Sequence, residues 1–394
     1  MLSDIKVLEL ASVLAGPSVG QFFVELGAEV IKIENPRTHG DVTRTWKLSS
    51  EPEGDVSAYF SSVNWGKKSI SIDVSKEEGR QLVYQLAEEV DVIIASYKPG
   101  DAQKLQMDYE TFRQINPKIV YGKITGYGDE DPRVGYDAVI QAESGFMFMN
   151  GEPGGNSLKM PVALIDVLAA HHLKEGILVA LLNRTKSGLG ECVSVSLMEA
   201  AISSLANQAT NYLVGGVIPQ KTGSQHPNIA PYGDIFTTKD DKQLLLAVGN
   251  DKQFGQLCEV LDCVELTKST AFNTNSDRVK NRQLLNQKLA VAMSKMPAKE
   301  LIINLNKMKV PCAEIMDMRS VFETSQAKSV LIHSENLPQS MKGIRNFVAN
   351  FSKDENSSHF LPPPVFGQHT EEVLISKIGL NASKINEFKL KGVV

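Results

Sequence analysis

Short apolar segments alternate with helical patterns along the first third of the chain. The apolar segments predict strands at Lys6–Leu10, Glu29–Glu34, Ser69–Asp73, Asp91–Ser96 and Ile119–Ile124. Helical patterns separate them at Ser18–Leu26, Ser75–Glu89 and Tyr109–Ile115. Near-continuous apolar strands are typical of a parallel sheet that is buried on both faces. The pattern therefore predicts an α/β fold with a Rossmann-like, doubly wound large domain. Its ligands are expected outside the carboxyl ends of the strands.

The pattern changes after about residue 210. A stretch rich in glycine, proline and polar residues predicts a linker. Two alternating segments, Gly233–Thr238 and Gln243–Val248, then predict a hairpin, and helical patterns follow it. The predicted organisation is a large domain over 1–210, a linker over 211–224, a small α+β domain over 225–310, and a segment over 311–394 that returns to the large domain.

Composition excludes several classes of function. The 394 residues carry a net charge of −5 with both signs interspersed, so neither nucleic acid nor a membrane surface is an expected partner. No apolar run approaches the length that spans a bilayer, and the first residues lack the features of a signal peptide. The four cysteines show no zinc-ligand spacing, so no metal site is expected. Scattered thiols fit a reducing compartment, which is the cytoplasm or an organelle matrix.

The common nucleotide-binding motifs are missing from the sequence. The turn after the first predicted strand reads A-G-P-S-V-G at residues 15–20 instead of G-x-G-x-x-G. No G-x-x-x-x-G-K-[ST] loop is present either. These absences disfavour NAD, FAD and ATP in their usual binding modes, and with them a plain NAD dehydrogenase.

Asp166 lies between an apolar run, Val162–Ile165, and a helical pattern, Val167–Leu182. An aspartate at the start of a helix is ordinarily an N-cap, whose carboxylate accepts backbone N–H groups that the helix leaves unpaired. The same helix end also stabilises a carboxylate anion that takes part in chemistry. The local pattern leaves both interpretations open.

Motifs along nearly the whole chain resemble one family. They are V-L-E-L at 7–10, V-L-A-G-P at 13–17, L-G-A-E-V-I-K-I-E at 26–34, Gly40-Asp41 with Arg44, N-W-G-K-K-S at 64–69, Y-K-P-G at 97–100, G-Y-G at 126–128, G-Y-D-A at 135–138, Asp166, V-S-L-M-E-A at 195–200, H-P-N-I-A-P-Y at 226–232 and G-Q-H-T at 367–370. In this order and at these spacings they resemble the class III CoA-transferases. That family includes formyl-CoA and carnitine-CoA transferases and also the α-methylacyl-CoA racemases.

The resemblance implies that Asp166 is a nucleophile. In the family scheme its carboxylate attacks an acyl-CoA thioester and forms an aspartyl-acyl anhydride. An acceptor carboxylate then takes the acyl group, or CoA returns to form an aspartyl-CoA thioester that passes CoA onward. Coenzyme A and acyl-CoA are then substrates, and no tightly bound cofactor is expected. The resemblance also implies an interlocked homodimer. By alignment, the expected CoA contacts are Val13, Leu14, Lys68, Ser96, Tyr97, Lys104, Arg133 and Tyr136. For Lys104 a solvated helix face is the alternative.

Tyr136 separates the two branches of the family. The racemases carry a histidine there as part of an acid/base pair, and a tyrosine is too weak a base at neutral pH to replace it. Transfer of CoA between small organic acids is therefore favoured, with succinyl-CoA as a candidate donor. The alternatives are an acyl-CoA racemase or isomerase and a non-catalytic CoA-binding protein. The segment around His226 is either a lid over the active site or a linker between domains.

Overall fold

The computed structural model describes residues 1–334, 341–352 and 360–394, and the predicted return segment, 311–394, includes both stretches outside these ranges. The described residues form two compact units. The first contains 1–146, 159–216 and 329–394, and the second contains 147–158 and 217–328.

A parallel sheet forms the centre of the first unit. Its strands are β1 (Lys6–Leu10), β2 (Glu29–Glu34), β3 (Lys68–Ser71), β4 (Val92–Ala95), β5 (Val120–Thr125) and β6 (Cys192–Ser196). In the described part of the chain these six strands lie in the order β3-β2-β1-β4-β5-β6. This is the doubly wound order, in which the chain reverses direction across the sheet between β1 and β4. The predicted fold class is confirmed, with β6 as an edge strand that the pattern did not show.

The other strands belong to smaller sheets. They are β7 (Tyr232–Thr237), β8 (Gln243–Ala247), β9 (Cys312–Glu314), β10 (Leu331–His333) and β11 (Lys342–Ile344).

The helices begin and end as follows. They are α1 (Ala15–Glu25), α2 (Ala58–Ser61), α3 (Glu77–Ala87), α4 (Asp101–Lys104), α5 (Tyr109–Ile115), α6 (Asp137–Glu143), α7 (Phe146–Met149), α8 (Leu164–Ser187), α9 (Leu197–Ser203), α10 (Ala206–Leu213), α11 (Asp251–Val260), α12 (Asn275–Lys280), α13 (Arg282–Met293), α14 (Ala298–Lys307), α15 (Met318–Glu323), α16 (Ser325–Ser329), α17 (Thr370–Ile378) and α18 (Ala382–Leu390).

Apolar side chains cover both faces of the parallel sheet. Val7 and Val92 point to the face that packs against α1 and α8, whereas Leu8 and Ile93 point to the face covered by α3, α17 and α18. Successive side chains of a strand point to opposite faces, so each strand needs apolar residues at nearly every position. This explains why the strands were visible in the sequence as continuous apolar segments.

Four buried charged side chains cross the sheet beside α1. Glu9 on β1 contacts Lys32 on β2 at 2.9 Å and Lys67, the residue before β3, at 2.7 Å. Lys32 also contacts Asp41 at 3.0 Å. We call Glu9, Lys32, Asp41 and Lys67 the charge network. Each is buried and has at least one partner of opposite charge, which offsets the cost of removing it from water.

The second unit is a small α+β fold, as predicted. Strands β7, β8 and β9 form an antiparallel sheet, and α11, α13 and α14 contribute to its core. The sequence placed its end at residue 310, but the unit continues to Lys328 because β9 pairs with β8. Residues 147–158 also belong to it, since the Gly223 N–H donates to the Gly151 carbonyl at 3.0 Å.

Within the ranges that the structure describes, no helix is long and apolar enough to cross a membrane.

We expect Gly20→Ala to lower the free energy of unfolding by about 3 kcal/mol, because a methyl group there meets the charge network. A Cβ at Gly20 would overlap the Glu9 Oε2 atom and lie 3.1 Å from Lys67 Nζ. Urea denaturation measures the change. Gly255→Ala, in α11, is the matched control, because its Cβ meets no atom within 4 Å. That substitution should raise stability by about 0.5 to 1 kcal/mol, since alanine favours a helix interior. Equal stability of Gly20→Ala and the original protein would contradict the expectation.

Candidate active site

An open cleft of about 1050 Å³ lies where β1, β4 and β5 end. Its walls are loops of the first unit, and Asp166 lies among them. The lining residues are Ser12–Gly16, Val42, Ser96–Pro99, Ile124–Gly126, Arg133–Tyr136, Asp166 and Leu197. We call it the Asp166 cleft. It lies at the switch point of the sheet, between β1 and β4, where doubly wound folds bind ligands.

Asp166 is the third residue of α8, and the N-cap is Ala163. The N-cap interpretation of Asp166 is therefore wrong. The capping bond comes from Asp137, whose Oδ1 accepts the Ile165 N–H at 2.7 Å. Gln141 Nε2 donates to the other oxygen of Asp137, also at 2.7 Å. Among the described residues, none donates a hydrogen bond to the Asp166 carboxylate, so that group is left for a ligand.

Burial changes the proton affinity of Asp166. The residue is 8% exposed, and its burial, with a smaller contribution from the charge of Asp137, raises its pKa to about 7. Water would otherwise stabilise the carboxylate, and no hydrogen bond of the protein replaces it. A carboxylate with this pKa is more basic than usual and is still ionised to a large extent at neutral pH. These are the properties of a nucleophile.

Most of the predicted CoA contacts come together in this cleft. They are Val13, Leu14, Ser96, Tyr97, Arg133 and Tyr136. Ser96 Oγ accepts the Ser12 N–H at 3.2 Å and so joins the loop after β1 to the loop after β4. The Arg133 guanidinium lies 3.9 Å from the centre of the Tyr127 ring and pairs with Asp131 and Glu143. Part of its charge is therefore already neutralised within the protein.

Lys68 and Lys104 do not line the cleft. Lys68 is the first residue of β3, at the amino end of the sheet, where it pairs with Glu372 at 2.8 Å and Glu29 at 3.3 Å. In a parallel sheet this edge is opposite to the ligand-binding edge, so the position of Lys68 does not support the predicted contact. Lys104 ends α4 with its side chain 78% exposed and 3.5 Å from Asp101.

Sequence reasoning missed Tyr59, which lies on α2 in a segment that showed only an irregular pattern. Tyr59 is half-buried, and its pKa is raised by burial and then by the charges of Asp166, Asp137 and Asp41. The negative charge of Asp166 thus disfavours the ionised form of this hydroxyl. No periodicity or motif distinguishes this tyrosine, because its position depends on how the loop after β2 folds back over the sheet edge.

A second cleft of about 730 Å³ adjoins the first. Ser12 and Tyr97 line both, so the two share a boundary. The second cleft lies at the ends of β1 and β2 and includes Asn35, and we call it the Asn35 cleft. Because the two clefts share a boundary, they can accommodate an elongated ligand, with Asp166 in one of them and Asn35 in the other.

The segment around His226 belongs to the second unit and is held by side chains of α12 and α13. Arg282 Nη1 donates to the His226 carbonyl at 2.7 Å, Arg278 Nε to the Ala230 carbonyl at 2.9 Å, and Asn275 Nδ2 to the Asn228 carbonyl at 2.8 Å. The segment is therefore anchored at several carbonyls. Its role as a lid stays a prediction.

Comparison with known proteins identifies the family. The family model described as CoA-transferase family III matches residues 2–370. This chain belongs to that family. The predicted family and the predicted enzyme class are confirmed.

Two relatives and one solved structure extend over almost the whole chain. A succinate–glutarate CoA-transferase of Agrobacterium fabrum is 35% identical over 95% of this chain and 94% of its own length. A succinyl-CoA:glutarate CoA-transferase of Homo sapiens is 33% identical over 100% of this chain and 90% of its own. The crystal structure of a CAIB/BAIF family protein from Brucella suis has a TM-score of 0.84 and 37% identity, and the match covers 95% of this chain and 99% of that one.

We expect Asp166→Asn to stabilise the protein in a pH-dependent way. Because the folded state raises the pKa of Asp166 from 3.8 to about 7, folding binds a proton between these values and stability falls as the pH rises through this window. Asparagine removes that loss. The variant should match the original near pH 4 and exceed it above pH 7 by on the order of 4 kcal/mol, at about 1.4 kcal/mol per pKa unit.

Urea denaturation between pH 4 and 8.5 measures this difference. Asp137→Asn serves as the second variant, because it removes the neighbouring charge while its amide oxygen can still accept the Ile165 N–H. As the pH rises, the free energy of unfolding of Asp137→Asn should fall less than that of the original protein, but it should still fall. A difference between Asp166→Asn and the original that is constant with pH would show that Asp166 does not titrate in this window.

Proposed function

We propose that this class III CoA-transferase moves CoA between small dicarboxylic acids through a covalent intermediate on Asp166. The observation that carries the proposal is a buried carboxylate without a hydrogen-bond donor, at the ligand-binding edge of the sheet. Relatives that match nearly the whole chain are named for succinyl-CoA, succinate and glutarate, which supports dicarboxylic acids as the substrate class. Succinyl-CoA is the proposed donor.

The reaction needs only the carboxylate and the two substrates. An Asp166 oxygen attacks the thioester carbonyl, the C–S bond breaks, and CoA leaves as the thiolate. The thiolate then attacks the aspartyl carbonyl of the anhydride, which releases succinate and leaves an aspartyl-CoA thioester. The acceptor carboxylate attacks the carbonyl of that thioester, which expels the CoA thiolate and forms a second aspartyl anhydride. The thiolate then attacks the acceptor carbonyl of this anhydride, which releases the new acyl-CoA and the Asp166 carboxylate. Because the acyl groups stay activated throughout, no ATP is consumed.

The first turn of α1 is placed to assist these steps. Ala15 and Gly16 line the cleft, and no side chain caps α1. Their N–H groups belong to those that a helix leaves unpaired, so they can donate to the oxyanion that forms at the attacked carbonyl. Val13, Leu14 and Tyr97 offer apolar surface to the pantetheine arm, and the Asn35 cleft accommodates the nucleotide end.

Racemisation is less well supported. It needs a base that removes the α-proton, and Tyr136, at the position of the racemase histidine, is 59% exposed. Among the described residues that line the Asp166 cleft, none is a histidine.

A homodimer with interlocked chains is part of the proposal. Helices α8 and α10 expose large apolar side chains, among them Leu182 at 60%, Tyr212 at 56% and Leu213 at 75%. Exposed apolar surface of this kind is typical of a face that a partner covers. A reducing compartment, the cytoplasm or an organelle matrix, is also proposed, since Cys192, Cys258, Cys263 and Cys312 are all free thiols.

We expect succinyl-CoA to leave an activated carbonyl on Asp166. Hydroxylamine converts such a carbonyl to a hydroxamate, which peptide mass spectrometry can locate. The label should appear on the Asp166 peptide with succinyl-CoA and be absent with long-chain or branched acyl-CoAs. Asp166→Asn should remove the label. Asp137→Asn, which removes the neighbouring carboxylate, should still be labelled on the Asp166 peptide. Incorporation of solvent deuterium at the α-carbon without any label would instead support the racemase.

Sedimentation should give twice the mass of the chain at micromolar concentration. Interlocked subunits cannot separate without partial unfolding, so isotopically labelled and unlabelled dimers should not exchange subunits over many hours in native buffer. They should exchange after unfolding in urea and refolding. Monomers in solution would contradict the dimer, and rapid native exchange would contradict the interlocking.

A further inference from the structure

Val13 has an unusual backbone conformation at the wall of the Asp166 cleft. Its φ is 72°, in the left-handed region. A β-branched residue is rarely found there and stays there only where the surroundings impose the conformation. Such strain at a ligand-binding wall indicates that the exact course of the loop matters.

The Asp41 carboxylate imposes this conformation. Both of its oxygens accept the Val13 N–H, at 3.3 Å and 3.2 Å. The carboxylate is itself fixed by the Thr43 N–H at 3.0 Å, the Thr43 hydroxyl at 2.8 Å and Lys32 at 3.0 Å. Asp41 is 4% exposed, so water does not compete for these bonds.

The same network contacts the loop at two further points. Lys32 Nζ donates to the Ala11 carbonyl at 2.7 Å, and Lys67 Nζ donates to the Pro17 carbonyl at 2.8 Å. The network therefore contacts the beginning, the middle and the end of residues 11–17, which run from β1 into α1. Five of these residues, 12–16, line the Asp166 cleft.

Both members of the central pair are held in their charged forms. Burial by itself lowers the pKa of Lys32, but the carboxylates of Glu9, Asp41 and Glu34 outweigh it and raise the pKa. Burial raises the pKa of Asp41, but Lys32 and the Thr43 N–H outweigh it and lower the pKa. The other charged groups that face this pair are Glu9 and Lys67 of the network, with the Arg44–Glu34 pair beside them.

We propose that the Lys32–Asp41 pair is a positioning element for the acyl-CoA thioester: it holds Val13 in the left-handed conformation and thereby gives the wall formed by residues 12–16 its shape. This inference rests on the proposed function. Lys32 and Asp41 also line the Asn35 cleft, take no part in bond making, and act on the Asp166 cleft through the loop. Their loss should weaken binding of the CoA moiety more than it lowers turnover at saturating substrate.

The test compares Asp41→Ala in two backgrounds. Calorimetry with CoA, which cannot acylate the protein, measures the Kd, and succinyl-CoA kinetics give KM and kcat. Asp41→Ala should raise the Kd and KM about tenfold, since it removes hydrogen bonds to a charged group that fix the wall. Glycine adopts a positive φ without strain, so in a Val13→Gly background the same substitution should raise the Kd no more than about threefold. If Asp41→Ala raises the Kd by the same factor in both backgrounds, Asp41 does not act through Val13.

Glu9→Gln is the control for stability. Glu9 belongs to the charge network but makes no contact with Val13. Glu9→Gln should therefore lower the melting temperature as Asp41→Ala does, but it should raise the Kd for CoA much less. If the two variants weaken CoA binding equally, the effect is structural and the proposal is overturned.

Val13→Pro decides the question if Asp41→Ala does not fold. Proline fixes φ near −65° and removes the N–H, whereas Val13→Gly permits the observed conformation, and both lack the valine side chain. The proline variant should bind CoA at least tenfold more weakly than the glycine variant, and equal affinities would overturn the proposal. Failure of the unaltered protein to bind CoA would refute the proposed function instead.

Discussion

The first unit depends on the pairing of one buried carboxylate with two buried lysines. Glu9 lies on β1, an interior strand of the sheet, and contacts Lys32 on β2 and Lys67 before β3. Removing Glu9 would leave Lys67 buried without a partner of opposite charge, and removing Lys32 would do the same to Asp41, which costs more than the pair itself contributes. Burial of the Glu9 carboxylate also restricts the sequence of α1, where only a glycine at position 20 leaves room for it. The packing of α1 on the sheet therefore depends on the position of the buried charges.

Two aspartates near the start of α8 have different environments. Asp137 caps the helix and is bonded through both oxygens, whereas Asp166 is left without a donor and with a pKa near 7. A carboxylate in this state lowers the stability of the fold at neutral pH, as expected where a residue serves function and not stability, which is the role proposed for Asp166. Because Asp137 accepts the Ile165 N–H, Asp166 is not needed as the cap of α8.

The sequence predicted a good part of the fold and of the site, for identifiable reasons. Strands such as Val92–Ala95 were visible because a sheet covered on both faces needs continuous apolar residues. Loops at strand ends were correctly expected near one another, because parallel strands bring their carboxyl ends to one edge. The predicted strand at Ser69–Asp73 put Lys68 at the start of its strand, as the structure does, but its CoA contact came from alignment alone and stays a prediction. The edge strand Cys192–Ser196 was missed because one of its faces is exposed and its apolar run is short.

The sequence by itself determined the alternation of strands and helices and the family, and it pointed to Asp166 as the candidate nucleophile. It could do so because these properties reside in local periodicity and in the order of motifs. Only the tertiary structure decided which aspartate caps α8, how acidic Asp166 is, and which carboxylate holds Val13. A pKa and a hydrogen bond depend on burial and on neighbours that are distant along the chain, such as Asp137 for Asp166 and Asp41 for Val13. The chain brings these neighbours together only when the sheet has formed.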